Sequence, residues 1–174
     1  MIQRVFALLL LAHIALVASH YNSTLMELEA KLFVKMALLS EDINKSKETL
    51  DITIVTQGCD THYAYEFKNL IEKNYTEKIM QKSVVVKIEE FTTLSYDADL
   101  LILLHSKEEL LRKICKTANN KKILTFSYEP SYLIYGVLGS LYIGVSTKPL
   151  LNKDVIREYG FTFNPYLLEL SKFY

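Results

Sequence analysis

Four short runs of apolar and β-branched residues, separated by helix-patterned stretches, decide most of what this chain can fold into. They are Asp51 to Gln57, where Ile52, Thr53, Ile54 and Val55 crowd together; Ser83 to Ile88, with Val84, Val85 and Val86; Asp99 to Leu104, unbroken after its first residue; and Ile123 to Phe126. A strand with one wet face alternates in polarity, whereas continuous apolar runs fit strands buried on both faces of a parallel sheet. Parallel strands need long crossovers, and the intervening segments read as helices. Leu25, Leu28, Leu32, Met36 and Leu39 form one stripe over Thr24 to Leu39, before the polar stretch Ser40 to Thr49. After Gly58, a helix from about Asp60 to Lys73 turns Tyr63, Phe67, Leu70 and Ile71 inward. Ser106 and Glu109 have capping-box spacing for a third helix with Leu110, Leu111, Ile114 and Cys115 facing in, stopped by Asn119-Asn120. The expectation is an α/β layered sandwich with a mostly parallel central sheet and helices on both faces.

The end of the chain departs from that alternation. Leu133 to Val137 and Leu141 to Val145 are expected as two strands joined near Gly139, an antiparallel C-terminal hairpin added to the sheet. In the second, Leu141, Ile143 and Val145 alternate toward one face. A short helix follows from Asn152 to a left-handed stop at Gly160, and Asn164-Pro165 opens a last one that docks through Leu167, Leu168 and Leu170.

Residues 1–19 carry one charge, Arg4, then the apolar run Val5 to Ala18, and end in Val17-Ala18-Ser19. A charged start, an apolar middle shorter than a membrane span and a small-residue end are the layout of a secretory signal peptide. This leaves residues 20–174 as one exported domain. The chain holds 20 Lys+Arg and 20 Asp+Glu; without the leader the net charge is about −1, no electrostatic footprint for nucleic acid. Five glycines, three prolines and a 50% hydrophobic composition argue against disorder.

The sequence resembles the YfiR/HmsC-type family of small periplasmic regulators at both ends. Glu29-Ala30-Lys31-Leu32-Phe33-Val34-Lys35-Met36-Ala37 is similar to the family's first helix, which reads Lys-Ala-Ala-Phe followed by Phe-Ala, although the Trp-Pro that closes that helix is missing. Toward the carboxyl end the family reads Gly-Gly-Met-Ile-Asn-Phe, then Val-Arg-Phe-Glu-Ile-Asn, then Ala-Gly-Leu-Lys-Ile-Ser-Ser and a leucine-rich helix. Opposite these stand Tyr132-Leu133-Ile134-Tyr135, Leu141-Tyr142-Ile143-Gly144-Val145-Ser146, and Tyr159-Gly160-Phe161-Thr162-Phe163-Asn164-Pro165 with Leu167, Leu168 and Leu170. The hydrophobic frame, Gly160 and the last helix match; the paired glycines and the polar Asn and Glu do not, so this is a divergent member. The resemblance implies a periplasmic protein that binds the periplasmic portion of an inner-membrane diguanylate cyclase and restrains it, setting cyclic di-GMP levels and biofilm behaviour. Such an inhibitor acts through its preference for the inactive cyclase and needs no catalytic residue.

Candidate sites divide into a surface and a crevice. Tyr132, Leu133, Tyr135 and Tyr142, around the expected hairpin, are candidates for contact with a partner or with a second copy, since tyrosine buries area while keeping a polar tip. Packing of the same tyrosines against the sheet is the plainer reading. Gly58, Cys59, His62, His105, Ser106 and Glu129 are expected at the carboxyl edge, where open α/β sheets bind ligands; the alternative function is therefore a periplasmic small-ligand-binding domain. Their spacing follows no metal-ligand pattern, so no metal or cofactor is assigned. A Cys-His nucleophile needs contact and an orienting group, and the sequence offers only proximity; the chain is read as a binding protein and not an enzyme. The family is associated with paired cysteines. Here Cys59 follows the first strand while Cys115 lies late on a helix running back to the opposite edge; a disulfide needs Cα atoms within roughly 7 Å, so a Cys59–Cys115 bridge is not the expected pairing, though the sequence alone leaves it open.

Overall fold

The structure, a computed structural model, describes residues 21–43 and 46–174; the leader expectation falls outside them. Helix α1 (Ser23–Leu38) is capped by the Asn22 side chain, which accepts from the Leu25 N–H at 3.1 Å. Strand β1 (Thr49–Thr56) follows, then a 3-10 turn (Gly58–Asp60), helix α2 (Thr61–Asn74), β2 (Ser83–Glu90), β3 (Leu100–Leu103), α3 (Glu108–Asn120) and β4 (Leu124–Ser127). A 3-10 helix (Pro130–Tyr135) leads to β5 (Gly139–Tyr142), β6 (Lys148–Leu151), α4 (Lys153–Tyr159), α5 (Pro165–Leu170) and the two-residue β7 (Lys172–Phe173). Among the described residues, no helix is long and apolar enough to cross a membrane.

The seven strands form one sheet in the order β2-β1-β3-β4-β5-β6-β7. The first five run parallel; β6 reverses against β5, and β7 runs parallel to β6. The fold is therefore an α/β sandwich with a mostly parallel sheet, as the continuous apolar runs require. Leu50, Ile52, Ile54, Leu100, Ile102, Leu124 and Phe126 point to one face, where Phe33 of α1 and Phe67 of α2 meet them. Val55, Leu101 and Leu103 point to the other, against Leu111, Ile114 and Cys115 of α3. Fully burying a side chain of this size is worth roughly 1.5–3 kcal/mol; β1 and β3 contribute such side chains on both faces, whereas β4 turns Leu124 and Phe126 to the first and the buried polar Thr125 and Ser127 to the second.

Two expectations need correction. The hairpin exists, but it is β5–β6, paired from Gly139 against Leu151 to Tyr142 against Lys148. Leu133 lies in the 3-10 helix, which Pro130 opens and Gly136 closes at φ +94, a left-handed stop incompatible with strand. Gly139 is not the turn but the start of β5: a Cβ there would lie 3.0 Å from the Phe126 ring and 3.2 Å from the Leu150 carbonyl. Ile143 and Val145 sit in the exposed loop between β5 and β6, so their alternation describes no strand.

Ser106 likewise does not cap α3. Lys107 occupies that position with no side-chain cap, while Ser106 is drawn inward and its N–H donates to the Tyr132 hydroxyl at 3.3 Å. Glu108 and Glu109 in the first turn supply favourable charge to the helix end instead. The remaining boundaries agree with the sequence within two residues: Asn152 and Asn164 cap α4 and α5, and Gly160 closes α4 in the left-handed region.

Candidate functional site

In a parallel sheet of order 2-1-3-4-5 the topological switch lies between β1 and β3, and the crevice at their carboxyl ends is where ligands bind. β1 delivers Gly58, Cys59 and Asp60 to this edge, β3 delivers His105 and Ser106, and β4 delivers Tyr128 and Glu129. Gly58 has φ +24 and open space where a Cβ would stand, so its role is to let the chain turn off β1.

The centre of the crevice is filled by Tyr21, the first described residue. Its ring lies 4.4 Å from that of Tyr63 and 4.7 Å from that of Tyr128, centroid to centroid. Its hydroxyl accepts from the His105 backbone N–H at 2.8 Å and donates to Asp60 Oδ2 at 3.4 Å. Burial pushes the Tyr21 phenol well above its usual range, against the His105 hydrogen bond and with help from Asp60. The next residue is also held, since the Asn22 N–H donates to the Tyr128 hydroxyl at 2.7 Å. One wall adds a second layer: His105 Nδ1 and the Tyr132 hydroxyl are 2.9 Å apart, and burial raises the Tyr132 phenol.

Beneath Tyr128 lies Glu29 of α1, 1% exposed, with Oε2 lacking any hydrogen-bond partner. Burial first, then the charge of Glu129, lifts its carboxyl to about 10. Glu29 is thus a neutral acid at physiological pH. Four residues that sequence reasoning missed (Tyr21, Glu29, Asp60 and Tyr63) shape this end of the sheet. Asp60 was adjacent to residues already singled out; nothing in the sequence marks Tyr21, whose described hydrogen-bond partners are 39 and 84 residues away.

The expected crevice residues separate into three groups. His105, Ser106 and Glu129 surround the filled crevice; Gly58 and Cys59 are exposed at its rim. His62 points away, into a shallow hollow along the outer side of α2 with Tyr65, Glu66, Asn69 and Lys73. Among the described residues, no three Cys, His, Asp or Glu side chains are placed to hold a metal ion. Cys59 is exposed and Cys115 buried, both free, and burial pushes the Cys115 thiol up to about 12.

The expected surface also divides. Tyr132 and Leu133 are buried, packed by the 3-10 helix against the sheet and therefore out of reach of a docking partner. Tyr135 is half-buried with the Arg112 guanidinium 4.9 Å from its ring centroid. Tyr142 is exposed, its ring covered on one side by Lys172 Nζ at 3.5 Å. Beyond it the β5–β6 loop exposes Ile143 and Val145. An apolar groove of about 350 Å³ lies nearby, lined by Leu32, Met36, Leu39, Pro149, Tyr166 and Leu170, with Lys35 and Lys148 the charged residues of its described lining.

No protein-family model and no curated protein matches this chain. Solved structures do share its architecture. A conserved domain protein from Vibrio cholerae O1 biovar El Tor superposes with a TM-score of 0.59 at 12% identity, over 85% of this chain and 59% of the other. The ABC domain in complex with L-Trp from Streptococcus pneumonia superposes with a TM-score of 0.57, also at 12% identity and with the same coverages. The chain thus spans about three fifths of each neighbour, and at that identity the likeness extends to the fold alone.

Proposed function

We propose that this chain is an exported regulatory protein of YfiR type, which binds the periplasmic part of a membrane-bound diguanylate cyclase and holds it in its inactive state. What supports the reading is the sequence resemblance at both ends of the chain together with the exposed apolar residues of the β5–β6 loop, a surface that regulation by binding requires. Asn152 ties the hairpin to the helix after it: its Nδ2 donates to the Leu133 and Val137 carbonyls while Oδ1 caps α4.

Regulation by binding needs an exposed surface and a preference for one state of the partner. The exposed apolar set at the hairpin loop, Tyr142, Ile143 and Val145, is the surface assigned to that contact. The test is co-purification from envelope extract with the mature protein as bait, beside an Ile143→Asp/Val145→Asp variant of unchanged melting temperature. A cyclase-bearing membrane protein should be recovered with the first and lost by at least tenfold with the second. Recovery of no membrane protein under gentle conditions sinks the reading.

A second reading, a small-ligand-binding domain, is favoured by the switch-point crevice and by the neighbour bound to L-Trp. Binding at the crevice and docking at the hairpin use different residues, so one protein can do both.

A further inference from the structure

The leucine stripe that marks α1 in the sequence only skirts the core. Met26, Ala30, Phe33 and Ala37 enter it, whereas Leu25, Leu28, Leu32 and Leu39 stay half-buried along the flank of the helix. They line two open hollows. One, of about 470 Å³, lies between Leu25 and Leu28 and the β5–β6 loop, at Ile143 and Thr147. The other is the apolar groove of about 350 Å³, where Leu32, Met36 and Leu39 face Tyr166 and Leu170 of α5, and it shares Thr147 as a wall. Both volumes fall within the range of small-molecule sites, about 300–1,000 Å³. The flank from Leu25 to Leu39 is about 21 Å long at the rise of an α-helix. One leaflet's share of a bilayer's hydrocarbon core, the depth that an acyl chain fills, is about 15 Å. An acyl chain therefore fits lengthwise.

The charge along this trough has one sign. The described lining of the first hollow holds no charged residue, and Lys35 and Lys148 are the charged residues of the second. Both are exposed, and neither makes an ion pair with a described residue. Lys31, one turn before Lys35 on the same helix, is by contrast paired with Glu27 at 2.7 Å. A lysine lays its stem along apolar surface and keeps its ammonium in water, so the two cations can meet an anion at the rim without being desolvated. Apolar walls with cations toward one end and no acid suit a chain with an apolar body and an anionic end.

We propose that the trough between α1, the β5–β6 loop and α5 binds a free long-chain fatty acid, its tail along Leu25, Leu28 and Leu32 and its carboxylate at Lys35 and Lys148. The proposal goes beyond the cyclase reading and does not use the switch-point crevice. Chain length should set the affinity, each buried methylene tightening binding about fourfold. The head group should set the specificity: two exposed ammonium groups attract a carboxylate and repel a quaternary ammonium, for a difference of about fivefold or more at low salt.

The test is calorimetric titration, at low ionic strength, of dodecanoate, octanoate and dodecyltrimethylammonium, each below its critical micelle concentration. The proteins are wild type, Lys35→Glu/Lys148→Glu and Thr147→Trp, each checked by thermal melt. All three positions are exposed, so the fold should be kept. Support is dodecanoate binding wild type at one site, about tenfold or more tighter than octanoate and about fivefold or more tighter than dodecyltrimethylammonium. The charge-reversed variant should invert the head-group preference. Thr147→Trp, which places a ring where the two hollows meet, should weaken dodecanoate about fivefold or more without touching a charge. Equal affinity for the two head groups, or wild-type dodecanoate binding by either folded variant, overturns the proposal and leaves the trough an apolar face for a protein partner. No uptake of dodecanoate by wild type removes the site outright. The cyclase contact is read by co-purification, so the two readings fail separately.

Discussion

Glu29 shows how one buried side chain puts a pH dependence into the stability of the fold. Burial holds its carboxyl at about 10 in the folded chain, against 4.5 for an ordinary glutamate. The folded state therefore retains a proton that the unfolded state releases above that lower value. Stability from this group is full below pH 4.5 and is lost progressively as pH rises toward 10. Glu29→Gln has the shape of the neutral acid and nothing to titrate. It should be more stable than wild type at pH 8 by about 2 kcal/mol or more, the gap closing toward pH 5. Denaturant titrations at both pH values check this; parallel pH profiles for the two proteins would falsify it. Asn152 works in the opposite sense. Replacing it by Ala removes a helix cap and leaves the Leu133 and Val137 carbonyls short of a donor. A loss of about 2–4 kcal/mol is expected in the same titration.

At the scale of elements, the hairpin and the helices after it show what periodicity can and cannot resolve. The pattern Leu141, Ile143, Val145 alternates as a strand should, yet β5 stops at Tyr142. Strand β5 holds its place because Gly139 lets it approach Phe126 on one side and Leu150 on the other. Alternation says only that residues would share a face if the chain were extended; partners decide whether it is. The same applies to Ser106, whose spacing to Glu109 suits a capping box until Tyr132 supplies a competing partner. Gly139→Val should displace β5 from β4, lowering the melting temperature by roughly 5 °C or more, whereas Ile143→Asp in the loop should change it little. Thermal melts of the two variants read the difference.

The whole molecule stands on one sheet that carries a core on each face. Strands β1, β3 and β4 lie inside it, while β2 and β7 form its edges. Edge strand β2 keeps Val85 exposed, and the two residues of β7 are exposed as well. Hydrogen exchange should accordingly be slowest for amides of β1, β3 and β4 and fastest for β7 and the outer side of β2. Uniform protection across the sheet would show that the edges are covered, by another copy or by a partner. The crevice and the docking surface lie in separate parts of this architecture, the one at the carboxyl ends of β1 and β3, the other in the loop joining β5 to β6. Perturbing one should leave the other working.

The order of helices and strands as far as β4, the parallel middle of the sheet and the caps at Asn152, Gly160 and Asn164 were legible in the residues, because each depends on neighbours within a few positions. Continuous apolar runs report burial on two faces, and a capping side chain reaches only the next turn. What the tertiary structure alone decided depends on contacts between residues distant in the chain. Tyr132 and Leu133 are core rather than surface, His62 and His105 face different ways, Glu29 is a neutral acid, and Tyr21 fills the crevice assigned to a ligand. Local patterns cannot encode these, since a side chain's partner, and with it its charge and its exposure, is chosen only when the sheet brings distant segments together.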